Sequence, residues 1–145
     1  MAEQPPEPRP CSVAAALEIV GERWTLLAIR EMSYGVHRFD QITAFTGASR
    51  DILAARLRKL EQHGIVERRQ YHAHPPRYEY HLTDAGNELV PILRALHQWG
   101  DRWAVDKPNV LFWHDCGHRL EVEQVCHACG EVVASEQLTV SQHKA

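Results

Sequence analysis

The hydrophobic pattern of the chain changes its period at Gly64, and this change constrains the fold more than any other feature. Upstream of the glycine, apolar residues recur at helical spacing, at Ile52, Leu53, Leu57 and Leu60. Downstream, residues 65–71 read as a strand, and residues 77–82 alternate as a half-buried strand does. Because Pro75 and Pro76 lack N–H donors, residues 72–76 are predicted to form the loop between the strands. The sequence therefore predicts a helix followed directly by a β-hairpin.

A shorter helical pattern lies immediately upstream, over about residues 38–45. A tight turn containing Gly47 follows it, and Ser49 is a good N-cap for the next helix, predicted over residues 49–63. Gly64 ends that helix as a left-handed residue. Two helices joined by a short glycine-containing turn form a helix-turn-helix. With the hairpin behind it, the segment is predicted to be mainly α with a small β-hairpin wing, a winged helix-turn-helix.

Further helices are predicted on both sides of this segment. Ser12 is expected to cap a first helix starting at Val13, and a second runs from about residue 22 to 32. Downstream, Thr83 is expected to cap a long helix that Pro91 kinks or divides. Its apolar residues follow a heptad seam, at Ala85, Leu89, Ile92, Leu96, Trp99 and Trp103. We expect a homodimer interface there, formed by Leu89, Ile92, Leu96, Trp99 and Trp103; the alternative is that the stripe packs on its own domain.

Composition sets the wider organisation of the 145 residues. No apolar run is long enough to span a bilayer, and residues 1–10 lack the apolar core of a signal peptide, so we expect a cytoplasmic protein with no membrane partner. The predicted domains are a disordered arm (1–10), a DNA-binding and dimerisation domain (11–105), a zinc-ribbon-like β appendage (106–135) and a flexible tail (136–145).

The charge of the chain is unevenly distributed. The whole chain carries a formal charge of −3. Residues 36–81 nevertheless hold eight basic and five acidic side chains, so this segment has a formal charge of +3. A positive segment around a helix-turn-helix favours an anionic partner, whereas the alternative is an ordinary solvated surface of mixed charge.

Several short motifs occur in the chain in an order that is typical of one protein family. These are Cys11–Val13, Gly21–Thr25, Phe39–Ile42, Leu57–Glu61, Gly64–Arg68, Pro76–Gly86 and Trp99–Gly100. Together they resemble the HxlR family of bacterial winged-helix regulators, relatives of the MarR-type group. The resemblance covers about residues 11–104 and implies a homodimer that binds an inverted repeat in double-stranded DNA. Ala54 departs from the pattern, because family members often carry a hydroxyl residue there.

The helix predicted over residues 49–63 is the candidate recognition helix, since an α-helix fits the major groove. Arg50 is expected to bind a guanine edge, and Ser49 a phosphate near the helix N-terminus. Arg56 is expected either to reach a phosphate or to pair with Asp51 or another neighbour. The full predicted DNA-binding set is Ser49, Arg50, Ala54, Arg56 and, on the wing, His72, His74 and Arg77.

Cys11 precedes the first predicted helix. Members of the HxlR family with a cysteine at this position include sensors of quinones, aldehydes or oxidants. The resemblance therefore implies redox or electrophile sensing through Cys11, with a small-molecule electrophile or oxidant as a partner. The alternative is an inert thiol that only packs beside the N-terminal helix.

The remaining cysteines lie in the C-terminal segment, where Cys126 and Cys129 form a CxxC-Gly motif. Zinc takes four sulfur or nitrogen ligands in a tetrahedron. The predicted zinc ligands are Cys116, His118, Cys126 and Cys129, with His114 as the alternative histidine. A metal-free ribbon held by packing, and a Cys126–Cys129 redox pair, are the two other interpretations.

An enzyme is the rival functional class, and the sequence argues against it. A thioredoxin-like CxxC motif opens a helix inside a βαβ unit. Only 16 residues follow Cys129, too few for such a unit, and no other catalytic motif is found. A second alternative is a winged helix that binds only proteins, which the absence of a salt-sensitive DNA affinity would indicate.

Overall fold

A computed structural model of the chain describes residues 7–141. Residues 1–6 of the predicted arm and residues 142–145 of the predicted tail lie outside the described residues. The described part is mainly helical with one antiparallel hairpin. Its elements are α1 (Ser12–Val20), α2 (Arg23–Ser33), α3 (Phe39–Thr46), α4 (Arg50–Gln62), β1 (Val66–Ala73), β2 (Pro76–Leu82), α5 (Asp84–Trp103) and a 3-10 turn (Ser135–Gln137). None of the helices within residues 7–141 has the length and apolar character needed to cross a membrane.

The helix starts follow local capping, with one difference from the sequence prediction. Glu22 caps α2 by accepting a hydrogen bond from the Trp24 N–H at 3.0 Å. Ser49 caps α4 as predicted, accepting from the Ile52 N–H at 3.3 Å. Ser12, in contrast, is the first residue of α1 rather than its cap. Cys11 holds the extended backbone of the N-cap, and its carbonyl accepts the first helical hydrogen bond.

The turn between α3 and α4 depends on Gly47. This residue has a φ of +77°, the left-handed region that glycine enters without steric cost. Its N–H still donates to the Thr43 carbonyl, so the last turn of α3 is closed before the chain reverses. The predicted helix-turn-helix is therefore formed, with α4 as its second helix.

The hairpin is longer than predicted. β1 and β2 pair from Val66 opposite Leu82 to Ala73 opposite Pro76, with an irregularity between Gln70 and His72. The connection is therefore only His74 and Pro75, whereas a loop over residues 72–76 was expected. Pro76 is accepted because it is the first residue of its strand, where a missing N–H costs little.

The hydrophobic core lies within residues 7–93. It consists of Val20, Ala28, Ile29, Met32, Ile42, Ala48, Leu53, Leu57, Leu60 and Val66. Ile52, which was expected in the apolar stripe of α4, is instead 39% exposed. A helix turns about 100° per residue, so Leu53, Leu57 and Leu60 share one face and Ile52 lies to its side.

α5 begins in close contact with the backbone between α4 and β1. A Cβ on Gly86 would lie 2.3 Å from the Ile65 carbonyl oxygen, so this position requires glycine. Thr83 caps the helix as predicted, since its Oγ1 accepts from the Gly86 N–H at 3.3 Å. The helix runs unbroken through Pro91 instead of dividing there. Proline lacks the N–H that would bond to the Asn87 carbonyl and its ring crowds that carbonyl, so this turn of α5 has one helical hydrogen bond fewer.

The described part of the chain divides into two compact units, residues 7–93 and 94–141. In the described part of the second unit, the Gln98 side chain forms two hydrogen bonds with the backbone of Val122, at 2.7 and 3.0 Å. Arg119 pairs with Asp101 at 2.9 Å. Two tight turns complete this unit, one closed by the bridge between Trp113 and Arg119 and the other by the bridge at residues 125 and 132.

Candidate nucleic-acid interface

The N-terminal half of α4 presents a solvent-exposed face. Leu53, Leu57 and Leu60 are fully buried and fix the opposite side of the helix. The exposed residues of this face are Ser49, Arg50, Asp51, Ile52 and Ala55, and Arg58 continues it into the C-terminal half. The predicted Ala54 is only half-exposed. Ile52 and Ala55 were missed, and counting helical angles from the buried leucines would have found them.

Arg50 is held from two sides by residues of α3. Its Nη1 donates to Asp40 Oδ1 at 2.5 Å, and its guanidinium lies over the Phe39 ring, 4.9 Å from the centroid. Both charged side chains remain largely exposed, at 67% for Arg50 and 79% for Asp40. Asp40 was not predicted to take part in the site. The proximity of α3 and α4 in a helix-turn-helix is the signal that could have suggested it.

Arg56 turns away from the exposed face of α4. Its Nε lies 3.1 Å from Glu22 Oε2, on a half-buried side chain. Of the two sequence interpretations, the ion pair is the one formed, and the partner is Glu22 rather than Asp51. Since Glu22 also caps α2, this pair ties α4 to the start of α2.

The tip of the hairpin is basic and exposed. His72 Nδ1 donates to the Pro75 carbonyl at 3.0 Å, which closes the turn. His74 and Arg77 are exposed, and Arg77 makes no ion pair among residues 7–141. Further down the hairpin, the guanidinium of Arg68 lies 4.4 Å from the ring centroid of Tyr78. The tip of the wing therefore offers the Arg77 guanidinium as an exposed cationic donor, with the His74 ring exposed beside it.

A network of polar side chains joins the base of the wing to the loop before α3. The rings of His37 and His81 stack with their centroids 3.9 Å apart. His37 Nδ1 donates to the Tyr80 carbonyl at 2.9 Å, and the Tyr80 N–H donates back to the His37 carbonyl at 2.8 Å. His81 Nε2 lies 3.1 Å from Glu79 Oε2. This hydrogen bond, helped by Arg38, lowers the pKa of Glu79 below its usual value.

The part of α5 from Ile92 onward carries an exposed apolar face. Its side chains are Ile92 (62% exposed), Leu96 (53%), Trp99 (59%) and Trp103 (70%). Leu89 was predicted to belong to this face, but it packs against the core of its own unit. Leu89 and Leu93 are four residues apart and share the core-facing side of the helix.

The four cysteines are all unpaired. Cys11 is exposed at the N-cap of α1, where its side chain makes no capping hydrogen bond. Cys126 is half-buried, and Cys116 and Cys129 are exposed. Hydrogen bonds from the backbone N–H groups of Cys129 and Ala128, and from the Cys129 thiol, lower the pKa of Cys126.

The predicted zinc ligands lie on the two tight turns of the second unit. The His114 ring accepts a hydrogen bond from the Cys116 N–H at 3.2 Å, and Gly117 and Gly130 follow the two turns with positive φ. Within residues 7–141, no three His, Cys, Asp or Glu side chains come together as a metal site would require. This arrangement does not fit a four-ligand zinc site. Zinc therefore stays a prediction, tested by metal analysis of the purified protein, where the ligand set requires one ion per chain.

The sequence model of the HxlR-like helix-turn-helix family matches residues 19–108 of the chain. The chain belongs to the HxlR family. This membership agrees with the resemblance read from the sequence motifs. HxlR-family proteins are transcriptional regulators, so the chain is a DNA-binding regulator of helix-turn-helix type and not an enzyme.

Relatives of known sequence and structure support this assignment. The chain is 41% identical over 131 residues to the uncharacterized regulator Rv3095 of Mycobacterium tuberculosis, which covers 88% of the chain and 83% of Rv3095. The transcription factor PA1607 superposes with a TM-score of 0.81 at 32% identity, over 92% of the chain and 95% of PA1607. The redox regulator HypR, in its reduced form, superposes with a TM-score of 0.59 at 33% identity, over 63% of the chain and 92% of HypR.

Proposed function

We propose that two copies of this HxlR-family chain bind an inverted repeat in double-stranded DNA, each placing α4 in a major groove. The observation that carries the proposal is the orientation of α4. Its leucines are buried, while the side chains of its N-terminal half are exposed. A helix held in this way can reach base edges without unfolding any part of the core.

The exposed side chains have complementary roles in this proposal. Arg50 binds guanine through two hydrogen bonds, and Ser49 binds a phosphate at the helix N-terminus. Ile52 and the partly exposed Ala54 supply the apolar contacts that a thymine methyl group accepts. On the wing, His72, His74 and Arg77 lie against the flanking phosphates or the minor groove. Arg56, which is committed to Glu22, contributes to the position of α4 and not to readout.

A second copy of the chain is the proposed occupant of the exposed face of α5. Four large, exposed apolar side chains at heptad spacing suit a symmetric, self-complementary contact. Trp99→Glu is expected to convert the dimer to a monomer in analytical ultracentrifugation. Asn87→Glu adds the same charge at an exposed position of the same helix and is the control. An unchanged dimer in Trp99→Glu would contradict this interface.

The DNA proposal is tested by fluorescence anisotropy with duplexes enriched from a random library. Arg50→Ala is expected to remove sequence preference worth about 1–3 kcal/mol at one base pair. Arg77→Ala is expected to weaken binding to every sequence alike and to reduce the salt dependence. Lys107→Ala removes an exposed charge of the second unit and is the control. DNA affinity that is absent or insensitive to salt would favour a winged helix that binds only proteins.

Cys11 is the proposed sensor of oxidants or electrophiles. The proposal is supported by its exposed thiol at the start of α1 and by the likeness to HypR, a redox regulator. Treatment with diamide or a quinone is expected to change DNA affinity in the wild type but not in Cys11→Ser. Cys129→Ser, which removes another exposed thiol, is the control. An identical response of the wild type and Cys11→Ser would exclude Cys11 as the switch.

A further inference from the structure

Asp40 and Phe39 hold the guanidinium of Arg50 before any DNA is present. The Asp40 carboxylate takes one hydrogen bond from Nη1, and the Phe39 ring lies under the guanidinium plane. Within the described residues, Nε and Nη2 of Arg50 have no hydrogen-bond partner. One edge of the guanidinium is thus fixed to the protein, and another donor edge stays open.

The open donor edge of Arg50, formed by Nε and Nη2, can bind the acceptors that a base presents in the major groove. Guanine presents two acceptors, N7 and O6, in the major groove, and a planar guanidinium binds both when its plane is correctly oriented. A free arginine side chain loses rotamer entropy when it is ordered. Because Arg50 is already restricted in the free protein, part of this entropy loss occurs when the protein folds, and less of it opposes DNA binding.

The stability of the protein does not explain the pair. An ion pair between two exposed side chains contributes little to the free energy of folding. A carboxylate on the DNA-facing surface also repels phosphates, which by itself weakens binding. A role in orienting Arg50 accounts for both the ring beneath the guanidinium and the carboxylate at its side.

We propose that Asp40 is a positioning residue for base readout, which orients Arg50 toward guanine and so sets sequence preference. This inference rests on the proposed DNA-binding function. It predicts that Asp40 raises the ratio of specific to non-specific affinity although its charge lowers affinity for every duplex.

The test compares Asp40→Asn with Asp51→Asn. Asp40 lies in the first turn of α3 and Asp51 in the first turn of α4, both are exposed, and both changes remove one negative charge. Asp51 makes no ion pair within residues 7–141, so it is the matched control. Affinities are measured by anisotropy for a duplex enriched from a random library and for the same duplex with its key guanine replaced. Thermal unfolding confirms that each variant is folded.

Both variants are expected to bind the substituted duplex slightly more tightly than the wild type. Only Asp40→Asn is expected to lose guanine preference, by about fivefold or more, the lower end of the discrimination of one arginine–guanine pair. In an Arg50→Ala background, Asp40→Asn is expected to cause no further loss of preference. Phe39→Leu, which removes the ring, is expected to give a smaller loss in the same direction.

Two results would overturn the inference while leaving the proposed function in place. If Asp40→Asn and Asp51→Asn keep the same preference as the wild type, Asp40 is only a surface charge. If Asp40→Asn binds the specific duplex more tightly without loss of preference, Asp40 competes with DNA for Arg50 instead of orienting it. A wild type without guanine preference, or an Arg50→Ala variant that keeps it, would instead contradict the proposed role of Arg50.

Discussion

The two units of the chain are built on different principles. In residues 7–93, ten side chains form a buried hydrophobic core that includes Ile29, Ile42 and Leu53. In residues 94–141 no described residue is fully buried, and side-chain-to-backbone hydrogen bonds and tight turns define the structure. Burial provides most of the free energy of folding, whereas each hydrogen bond contributes little net. The difference indicates that the first unit folds on its own core and that the second is stabilised mainly by local contacts.

The largest expected effect comes from the core of the first unit. Leu57 is 1% exposed, so Leu57→Ala leaves a cavity and is expected to lower the free energy of unfolding by about 2–5 kcal/mol. Leu120→Ala truncates the same side chain at a half-buried position of the second unit and is expected to cost much less. Urea denaturation followed by circular dichroism measures both. Equal losses would contradict the contrast between the units.

The next effect concerns the hydrogen bonds that replace a core in the second unit. Gln98→Ala removes both bonds between this side chain and the Val122 backbone. Each is worth about 0.5–1.5 kcal/mol, so we expect faster hydrogen exchange at the Val122 amide and little change in the unfolding of residues 7–93. Arg102→Ala, an exposed neighbour on the same helix, is the control. Unchanged hydrogen exchange at the Val122 amide would show that these two hydrogen bonds do not stabilise the second unit.

The smallest effect is a pH dependence at the base of the wing. The hydrogen bond from His81 lowers the pKa of Glu79 below its usual value of 4.5 in the folded protein. The carboxylate therefore contributes stability above that usual pKa, and the contribution is lost as the pH falls through the lowered one. Glu79→Gln is expected to unfold at a slightly lower temperature than the wild type at pH 7, with the difference fading under acid. Glu88→Gln is the control, and a difference that grows in acid would contradict this interpretation.

Most of the first unit could be predicted from the sequence, because its buried apolar residues recur with the period of the helix or strand that carries them. The spacing of Leu53, Leu57 and Leu60 predicted α4, and the change of period at Gly64 predicted the wing. Ile52 was misplaced because an apolar residue next to a buried one was assumed to share its face. Asp40 was missed because its contact with Arg50 joins two helices, and spacing within one helix carries no information about such a contact.

Less of the second unit could be predicted. The CxxC-Gly motif indicated candidate ligands at Cys126 and Cys129, and in the structure this motif forms a tight turn. The distance between that turn and the turn at Cys116 depends on how the chain folds between them, and ligand spacing alone does not determine it. The predicted ligand set consequently has no counterpart in the described geometry, and zinc stays a prediction.

The central claim is that the exposed face of α4 reads DNA in a symmetric pair of chains. Sequencing of duplexes enriched from a random library, with the wild type and Arg50→Ala side by side, tests it most directly. We expect the wild type to enrich an inverted repeat with half-sites centred about 10 base pairs apart, and a guanine in that repeat to lose enrichment with Arg50→Ala. Enriched sequences without symmetry, or the same sequences from both proteins, would contradict it.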